Sequence, residues 1–391
     1  TMYTTSQDDI KKRLQQVKEY IVAQKADACV ISSPVNLYYL NGFIFNGYMY
    51  ITPDKEPLLF VKRPATIEGN NVEYIRKPEQ LPELLTERNI ALPKSILLEN
   101  DLLPYNSVVR FQKALHMPQM KSISGFMREI RSVKSDAELA QIRNSALIHV
   151  EVYNQIPSLY RPGMTDLEFQ IEIEYLMRKE GSIGSFRTFG ENMDIFMGNV
   201  LAGDNAQKGS PFDFAMGGKG VDPLLPIGAA NKTLEQGTTI MVDMAGNFSH
   251  YLSDLTRTYS VGTIPEEALR AHQLSIDIHK DILGFAKAGV ACSDIYNRAM
   301  EIVVENKMEP YFMGTTQQAR FVGHGMGLEI NEPPVFAART REVLKKNMAV
   351  ALEPKFVVPG IGAVGIENTY FVTETGLENV TVCEEDIIVL R

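Results

Sequence analysis

The sequence has few of the residues that would place it in a specialised class of protein. Only three of its 391 residues are cysteine, six are histidine and none is tryptophan. The odd number and wide spacing of Cys29, Cys292 and Cys383 argue against a disulfide framework or a cysteine metal cluster, and they fit a reducing compartment. With so few histidines, any site that depends on imidazole must use very few of them.

Long apolar runs and basic clusters are also missing. No stretch of about 18 apolar residues is present, which argues against a transmembrane helix, and the N-terminal segment has no apolar secretory core. The formal net charge is −9 and no long run of Lys and Arg occurs, so a nucleic-acid partner has little electrostatic support. A hydrophobic content of 45% and a charged content of 22% instead predict a globular protein, which we expect in the cytoplasm.

The first third of the chain alternates between helical and β-rich patterns. Apolar residues recur at helical spacing over residues 8–26, and a second helical stretch lies near residues 105–115. Between them we predict strands for the runs ACVISS, NLYYLNGF, YMYITP and PLLFVKR. The pattern predicts a smaller N-terminal α/β domain over residues 1–127.

Two helix-start signals mark the next unit. Ser135 followed by Glu138 is a capping box, in which each side chain bonds the backbone N–H of the other residue, and it should open a long helix. Thr165 with Glu168 is a second capping box. We therefore predict a second domain over residues 128–391.

Two aspartates interrupt the β-rich segment TTIMVDMAGNFSHYLSDLTRTYSVG. Asp243 follows an apolar run, and Asp254 lies eleven residues later. A hairpin that turns near residues 246–249 would place Asp243 opposite residue 250, 252 or 254, all of which lie on one face of the second strand. The spacing predicts that the two aspartates share a face.

Two glutamates are placed symmetrically in the segment AVALEPKFVVPGIGAVGIENTYFVTETG. Glu353 and Glu367 each lie seven residues from Gly360, so a hairpin centred on Gly360 would set them directly opposite each other. Two carboxylates in strands made of Val, Ala, Ile and Phe repel each other and lose hydration. Either a cation lies between them or one of them is protonated.

A single histidine lies between glycines in the stretch VGHGMGLEINEPP. Gly323, Gly325 and Gly327 leave room for a close approach to His324. A lone acidic residue in a strand is usually solvated, but four of them in two symmetric hairpins, together with His324, favour a metal site. Oxygen-rich ligands suit manganese, cobalt, iron or zinc. Two divalent ions would balance the four carboxylates and activate a water molecule between them.

At these motifs the sequence resembles the pita-bread metallopeptidase family, which includes methionine aminopeptidase, aminopeptidase P, prolidase and the metal-free relative creatinase. The resemblance extends over residues 128–391, and the N-terminal unit resembles the extra domain of the creatinase and prolidase branch. It implies an α+β fold, in which a curved antiparallel sheet backed by helices carries the site, and a homodimer.

The resemblance also implies a role for each residue of the set. Asp243 would bind one metal ion, and Asp254 and Glu367 would bridge both ions. His324 and Glu353 would bind the other ion, and Glu353 would also take up and return a proton.

Several positions depart from the family's pattern. The second histidine usually found seven residues after the ligand histidine is Asn331, and the histidine four residues before it is Arg320. Gly365 stands where an arginine commonly precedes the second glutamate, and residues 223–231 contain no histidine for the substrate. We expect Asn331 to supply an amide donor in catalysis and Arg320 to attract a substrate carboxylate.

The sequence therefore predicts a metal-dependent aminopeptidase or dipeptidase of the Xaa-Pro type. Its substrate would be a short peptide or small amide, its cofactor two divalent ions with manganese as the first choice, and its activity weak or narrow. Two alternatives stay open: a catalytically impaired metal-binding scaffold, and a non-peptide reaction such as creatinase-like hydrolysis or a lyase. We also expect the loop over residues 185–220 to line the cleft. His250 should lie in solvent, with a role as proton carrier as the alternative. Tyr251 and Arg257 should serve packing and ion pairing.

Overall fold

The computed structural model describes residues 5–190 and 196–391. The chain divides between Ile130 and Arg131 into two compact units; the sequence placed this boundary between residues 127 and 128. None of the helices in the described ranges is both long and apolar enough to cross a membrane.

The N-terminal unit is built on a six-stranded mixed sheet. Its strands are β1 (Ala28–Ile31), β2 (Asn46–Ile51), β3 (Leu58–Arg63), β4 (Val72–Tyr74), β5 (Ser95–Leu98) and β6 (Gln119–Ser122), in the order β4–β3–β2–β1–β5–β6. The helices of this part of the chain are α1 (Gln7–Ala23), α2 (Pro34–Asn41), α3 (Leu81–Glu87), α4 (Tyr105–Ala114) and α5 (Ser124–Ser132). Apolar side chains of α3 and α4 pack with those of the sheet in one core.

The predicted strand NLYYLNGF is wrong, because this segment forms α2. Pro34 stands in the first turn, where its missing N–H costs no helical hydrogen bond. Gly42 ends the helix with a φ of +86°, and its N–H donates to the carbonyl of Tyr38 at 2.8 Å. Leu37 and Leu40 are buried in the helix as they would be in a strand, so the apolar residues alone did not distinguish the two.

The C-terminal unit contains longer helices and the remaining strands. Its helices are α6 (Asp136–Gln155), α7 (Asp166–Lys179), α8 (Glu266–Leu283) and α9 (Cys292–Glu305). Its strands are β7 (Gly198–Ala202), β8 (Thr238–Gly246), β9 (Ser253–Val261), β10 (Gly323–Gly325), β11 (Glu332–Val335), β12 (Ala349–Leu352), β13 (Lys355–Val358), β14 (Gly362–Gly365), β15 (Asn368–Val372), β16 (Leu377–Asn379) and β17 (Ile388–Leu390).

The strands of this unit form one curved sheet in three hydrogen-bonded pieces. The pieces have the orders β11–β10–β12–β15–β16, β13–β14 and β17–β9–β8–β7. A bridge between Thr256 and Glu367 connects β9 to the segment between β14 and β15. Pairing within the pieces is antiparallel except for β17, which runs parallel to β9. Helices α8 and α9 pack with β13 and β14 in one core, and α6 and α7 pack with β7, β8 and β9 in another.

Both predicted capping boxes are confirmed. The hydroxyl of Ser135 accepts from the N–H of Glu138 at 3.2 Å, and the Glu138 carboxylate accepts from the N–H of Ser135 at 3.1 Å. Thr165 and Glu168 make the same pair of bonds at the start of α7. These bonds satisfy backbone N–H groups that have no partner inside the helix.

Two buried histidines beneath the curved sheet are held neutral. His149 on α6 bonds the hydroxyl of Ser253 through Nδ1 at 2.9 Å. His279 on α8 bonds the Tyr370 hydroxyl through Nδ1 at 2.8 Å and the carbonyl of Ile366 through Nε2 at 3.1 Å. Burial lowers the pKa of each imidazole from 6.5 to about 3. Protonation therefore favours the unfolded chain over the pH range between these values.

We expect this pair to make the protein less stable in mild acid. The neutral imidazoles contribute fully to the free energy of unfolding above pH 6.5, and this contribution is lost as the pH falls towards 3. Between pH 7 and 5.5 the free energy of unfolding should fall by about 2–3 kcal/mol for the pair. Chemical denaturation over this range should show a shallower pH dependence in the double variant His149→Asn, His279→Asn. The exposed His116→Asn variant serves as the control and should keep the wild-type slope. Equal slopes in all three proteins would contradict the prediction.

Candidate metal centre

The strand pair β8–β9 carries the two aspartates. Its register sets Asp243 opposite Thr256 and Ala245 opposite Asp254. Because side chains alternate along a strand, residues 243 and 245 project from the same face, and Asp254 faces that side from β9. The predicted shared face is confirmed, and both carboxylates are buried.

The predicted partner of Asp243 is wrong. The sequence placed residue 250, 252 or 254 opposite it, whereas the structure places Thr256 there. The connection is longer than the tight turn assumed, because β8 ends at Gly246 and β9 begins at Ser253. His250 lies in this loop and is exposed.

The two glutamates face each other across the second hairpin. Lys355 pairs with Gly365 on one side of them, and Leu352 pairs with Asn368 on the other. Both pairs are symmetric about Gly360, so the same register sets Glu353 opposite Glu367. The predicted hairpin centre is confirmed.

His324 on β10 completes the group. Its Nδ1 lies 2.9 Å from the carbonyl of Gly325, which leaves Nε2 directed at the carboxylates. Nε2 lies 3.0 Å from Glu353 Oε2, and it is 3.6 Å from Asp254 Oδ2 and 3.9 Å from Glu367 Oε2. The neighbouring glycines are needed for close packing, because a Cβ at Gly323 would collide with the carbonyl of Ala351.

One side of this group offers a cation position. Asp254, His324 and Glu367 present ligand atoms that all lie within 4.8 Å of one another. The buried Oε2 of Glu367 has no hydrogen-bond partner among the residues that the structure describes. An unpaired buried carboxylate oxygen is costly unless a cation compensates it. An imidazole and two carboxylates at this spacing fit a divalent transition-metal ion.

Neighbouring side chains fix the orientation of these carboxylates. The hydroxyl of Thr256 donates to Glu367 Oε1 at 2.8 Å. The backbone of Asp254 exchanges two hydrogen bonds with the hydroxyl of Thr369, at 2.9 and 2.8 Å. The buried guanidinium of Arg257 donates to the carbonyl of Glu367 at 3.0 Å. Supporting bonds of this kind keep metal ligands in their binding orientation.

A family model of metallopeptidase family M24 matches residues 140–374, which include the whole group, and one of the creatinase/prolidase N-terminal domain matches residues 13–133. The chain belongs to metallopeptidase family M24. The predicted resemblance and the predicted class of enzyme, a metal-dependent peptidase, are thereby confirmed for the family. Membership implies divalent metal ions.

Relatives and solved structures agree with M24 membership. The chain is 26% identical to the Xaa-Pro dipeptidases of Pyrococcus horikoshii and Pyrococcus furiosus, in each case over 97% of this chain and 100% of the relative. The solved Xaa-Pro dipeptidase from Bacillus anthracis superposes with a TM-score of 0.80 at 23% identity, covering 97% of this chain and 100% of that one. The pita-bread fold is confirmed.

Lys355 is the residue of this M24 site that sequence reasoning missed. Its Nζ lies 3.0 Å from Glu353 Oε1, 3.1 Å from Asp243 Oδ2 and 3.6 Å from Glu367 Oε1, and its side chain is fully buried. The signal was present, because residues two apart on a strand share a face and Lys355 follows Glu353 by two. The cation expected between the glutamates is therefore, on this side, an ammonium. Lys355 pairs across the hairpin with Gly365, which is the position where the family commonly has an arginine.

The electrostatics of the two sides differ. Burial lowers the pKa of His324, but the hydrogen bond to Glu353 and its charge outweigh burial and raise the pKa to about 9. Burial raises the pKa of Glu353, but the charge of Lys355 and the contact with His324 outweigh it and lower the pKa to about 2. Burial and then neighbouring carboxylates raise the pKa values of Asp254 and Glu367 well above their usual range. Ionisation of Asp254 and Glu367 is therefore unfavourable unless a cation lies beside them.

A buried ionic cluster holds the histidine loop in place. Glu332 Oε2 lies 3.1 Å from Lys134 Nζ, and its Oε1 lies 3.3 Å from the guanidinium of Arg131. The same Oε1 accepts the N–H groups of Leu328 and Glu329, at 3.1 and 3.2 Å. Burial raises the pKa of Glu332, but the two cations outweigh burial and lower it.

Asn331 is hydrogen-bonded to the segment 185–190. Its Oδ1 accepts from the N–H of Phe189 at 2.7 Å, and its Nδ2 donates to the carbonyl of Phe189 at 2.6 Å. The amide thereby joins the histidine loop to the segment 185–190. Its predicted catalytic role stays a prediction.

Arg320 lies beside a cleft next to the histidine loop. The cleft has a volume of about 380 Å³ and is lined by residues 206–217 together with Gly314 and residues 317–321. Arg320 is exposed, and the ring of Phe321 at the end of this lining lies 6.4 Å from that of His324. This arrangement agrees with the expectation that part of the loop 185–220 lines a cleft.

Proposed function

We propose that this M24 protein is a metal-dependent hydrolase that cleaves an amide bond near the amino terminus of short peptides, as Xaa-Pro dipeptidases do. The proposal depends most on one observation. Asp254, His324 and Glu367 lie close together, and the buried Oε2 of Glu367 has no hydrogen-bond partner among the described residues. The similarity to the two Pyrococcus Xaa-Pro dipeptidases, over 97% of this chain, supports the substrate class.

Asp254, His324 and Glu367 would hold the ion, and manganese is the first choice for such a set, with cobalt, zinc and iron as alternatives. A bound divalent ion polarises a substrate carbonyl and lowers the pKa of water towards neutrality.

Glu353 would carry the proton between water and the leaving amine. Its Oε2 faces the ion-binding group, next to His324 Nε2, and its Oε1 contacts the ammonium of Lys355. A histidine binds metal only in its neutral form, so ion binding removes the charge of His324 from beside Glu353. The carboxylate is then a stronger base than it is next to a protonated imidazole.

Arg320 and Asn331 would act on the substrate side. Arg320 can pair with the terminal carboxylate of a dipeptide, because its guanidinium stands exposed beside the cleft. Asn331 would keep the segment 185–190 in position and offer an amide donor to the substrate. With no histidine at either position, we propose weak or narrowly selective turnover. Residence in the cytoplasm and assembly as a homodimer are further parts of the proposal, and they rest on composition and on the family resemblance.

The test is release of free proline from Xaa-Pro dipeptides by chelator-treated protein after addition of Mn²⁺, Co²⁺ or Zn²⁺. We expect turnover only with metal, and a preference of at least about tenfold for Xaa-Pro over matched Xaa-Ala dipeptides. Arg320→Met should raise KM for dipeptides more than it lowers kcat, whereas Arg339→Met, at an exposed arginine outside the cleft lining, should change neither. Asn331→Ala should lower kcat. Metal-loaded protein that hydrolyses no dipeptide would instead favour the scaffold or the non-peptide reaction.

A further inference from the structure

The two cation positions of this site are chemically different. One is bordered by Asp254, His324 and Glu367, and the other by Asp243, Glu353 and Glu367. Glu367 contributes a different oxygen to each: Oε2, which has no hydrogen-bond partner among the described residues, and Oε1, which contacts Thr256 and Lys355. At the first position the nearest positive group is the imidazole of His324, which must be neutral to bind a metal ion. The second position already holds the ammonium of Lys355.

We infer that the centre binds one divalent ion instead of two, and that the ammonium of Lys355 permanently holds the second cation position. This inference rests on the proposed function for the location of the site and departs from the two ions expected from the sequence.

The geometry of Lys355 carries the inference. Its Nζ lies 3.0, 3.1 and 3.6 Å from carboxylate oxygens of Glu353, Asp243 and Glu367, respectively. A transition-metal ion binds such oxygens at about 2.0–2.2 Å. To bind all three it would have to enter the space that these oxygens enclose with the ammonium, where two positive charges would repel each other.

The lysine has no low-energy route out of this space. Its side chain is fully buried, and its backbone is fixed in β13 by pairing with Gly365 and by the N–H of Met313, which donates to its carbonyl at 2.8 Å. Rotation away from the carboxylates would leave a buried ammonium without these three charged partners. A buried charge without a partner is far less stable than a paired one.

The experiment counts bound ions in the full chain, independently of turnover. Chelator-treated protein is dialysed against saturating Mn²⁺ and analysed for bound metal. We expect one ion per chain in the wild type, one in Lys355→Arg, which keeps the cation, and two in Lys355→Ala, which opens the space. Two ions in the wild type, none in the wild type, or a single ion in Lys355→Ala would each overturn the inference.

A pair of conservative variants locates the single ion. Asp254→Asn should lose it, whereas Asp243→Asn should retain it, because Asp243 contacts the ammonium instead of the ion. Loss of metal from both variants would contradict the assignment. This comparison distinguishes an ammonium at the second position from a second metal ion there.

Electron paramagnetic resonance of Mn²⁺-loaded wild type gives a second readout, which holds even if Lys355→Ala does not fold. An isolated ion gives the hyperfine pattern of uncoupled Mn²⁺, whereas two ions about 3.5–4 Å apart would be exchange-coupled. A coupled signal would overturn the inference. A single uncoupled ion without hydrolysis of any dipeptide would leave the inference standing and contradict only the proposed function.

Discussion

Replacing Glu367 by glutamine is expected to remove metal binding and, with it, peptidase turnover. Glu367 is the one carboxylate shared by both cation positions, and its Oε2 is the unpaired oxygen that faces Asp254 and His324. Glutamine keeps the size of the side chain, and its carbonyl can still accept from Thr256. The variant therefore removes the negative charge with little change in packing.

The expected loss of Mn²⁺ affinity is at least about 100-fold, since substitution of residues that merely support a metal ligand already costs about 10–100-fold. Equilibrium dialysis measures the affinity, and proline release measures the turnover. The matched control is Glu378→Gln, at an exposed glutamate paired with Arg143 on the protein surface, and it should bind metal as the wild type does. Wild-type affinity in Glu367→Gln would show that the ion does not bind at this group.

Replacing Arg257 by methionine is expected to destabilise the C-terminal unit by at least about 3 kcal/mol, because several buried acceptors would lose their donor and each costs about 1–3 kcal/mol. Its guanidinium donates to the carbonyls of Glu384, Thr256 and Glu367 and to the amide oxygen of Asn368, at 2.7–3.0 Å. The sequence assigned Arg257 to packing and ion pairing; the bonds to Glu367, Asn368 and Glu384 instead join β9 to the segment that carries Glu367 and to the C-terminal segment.

Hydrogen exchange of the β9 amides and chemical denaturation should both report this loss. A methionine is close in length to the apolar part of arginine, so the effect comes mainly from the missing donors. Arg298→Met is the control: Arg298 pairs with Asp281 on the surface, and its replacement should leave β9 protection unchanged. If Arg257→Met left the exchange of β9 unchanged, the guanidinium would not support the strand.

The sequence by itself determined the parts of the site that depend on local periodicity. Side chains alternate along a strand, so the separation of eleven positions from Asp243 to Asp254 places both on one face in every hairpin with a two-residue symmetric turn. Gly360 at the midpoint between Glu353 and Glu367 fixed the second hairpin in the same way. The helix starts at Ser135 and Thr165 are likewise local, since a capping box involves only four consecutive residues.

Only the tertiary structure decided which groups meet across the chain. The register of β8–β9 depended on the length of a loop whose hydrogen bonds reach α6, through Ser249 and the carbonyl of Gln141. The amide of Asn331 bonds Phe189, which is 142 residues away in sequence. Lys355 shares a face with Glu353 by local spacing alone, but its contact with Asp243 requires strands from two different pieces of the sheet, more than a hundred residues apart in sequence, to pack together. Such contacts are set by the packing of whole strands and helices, and no local pattern of residues contains them.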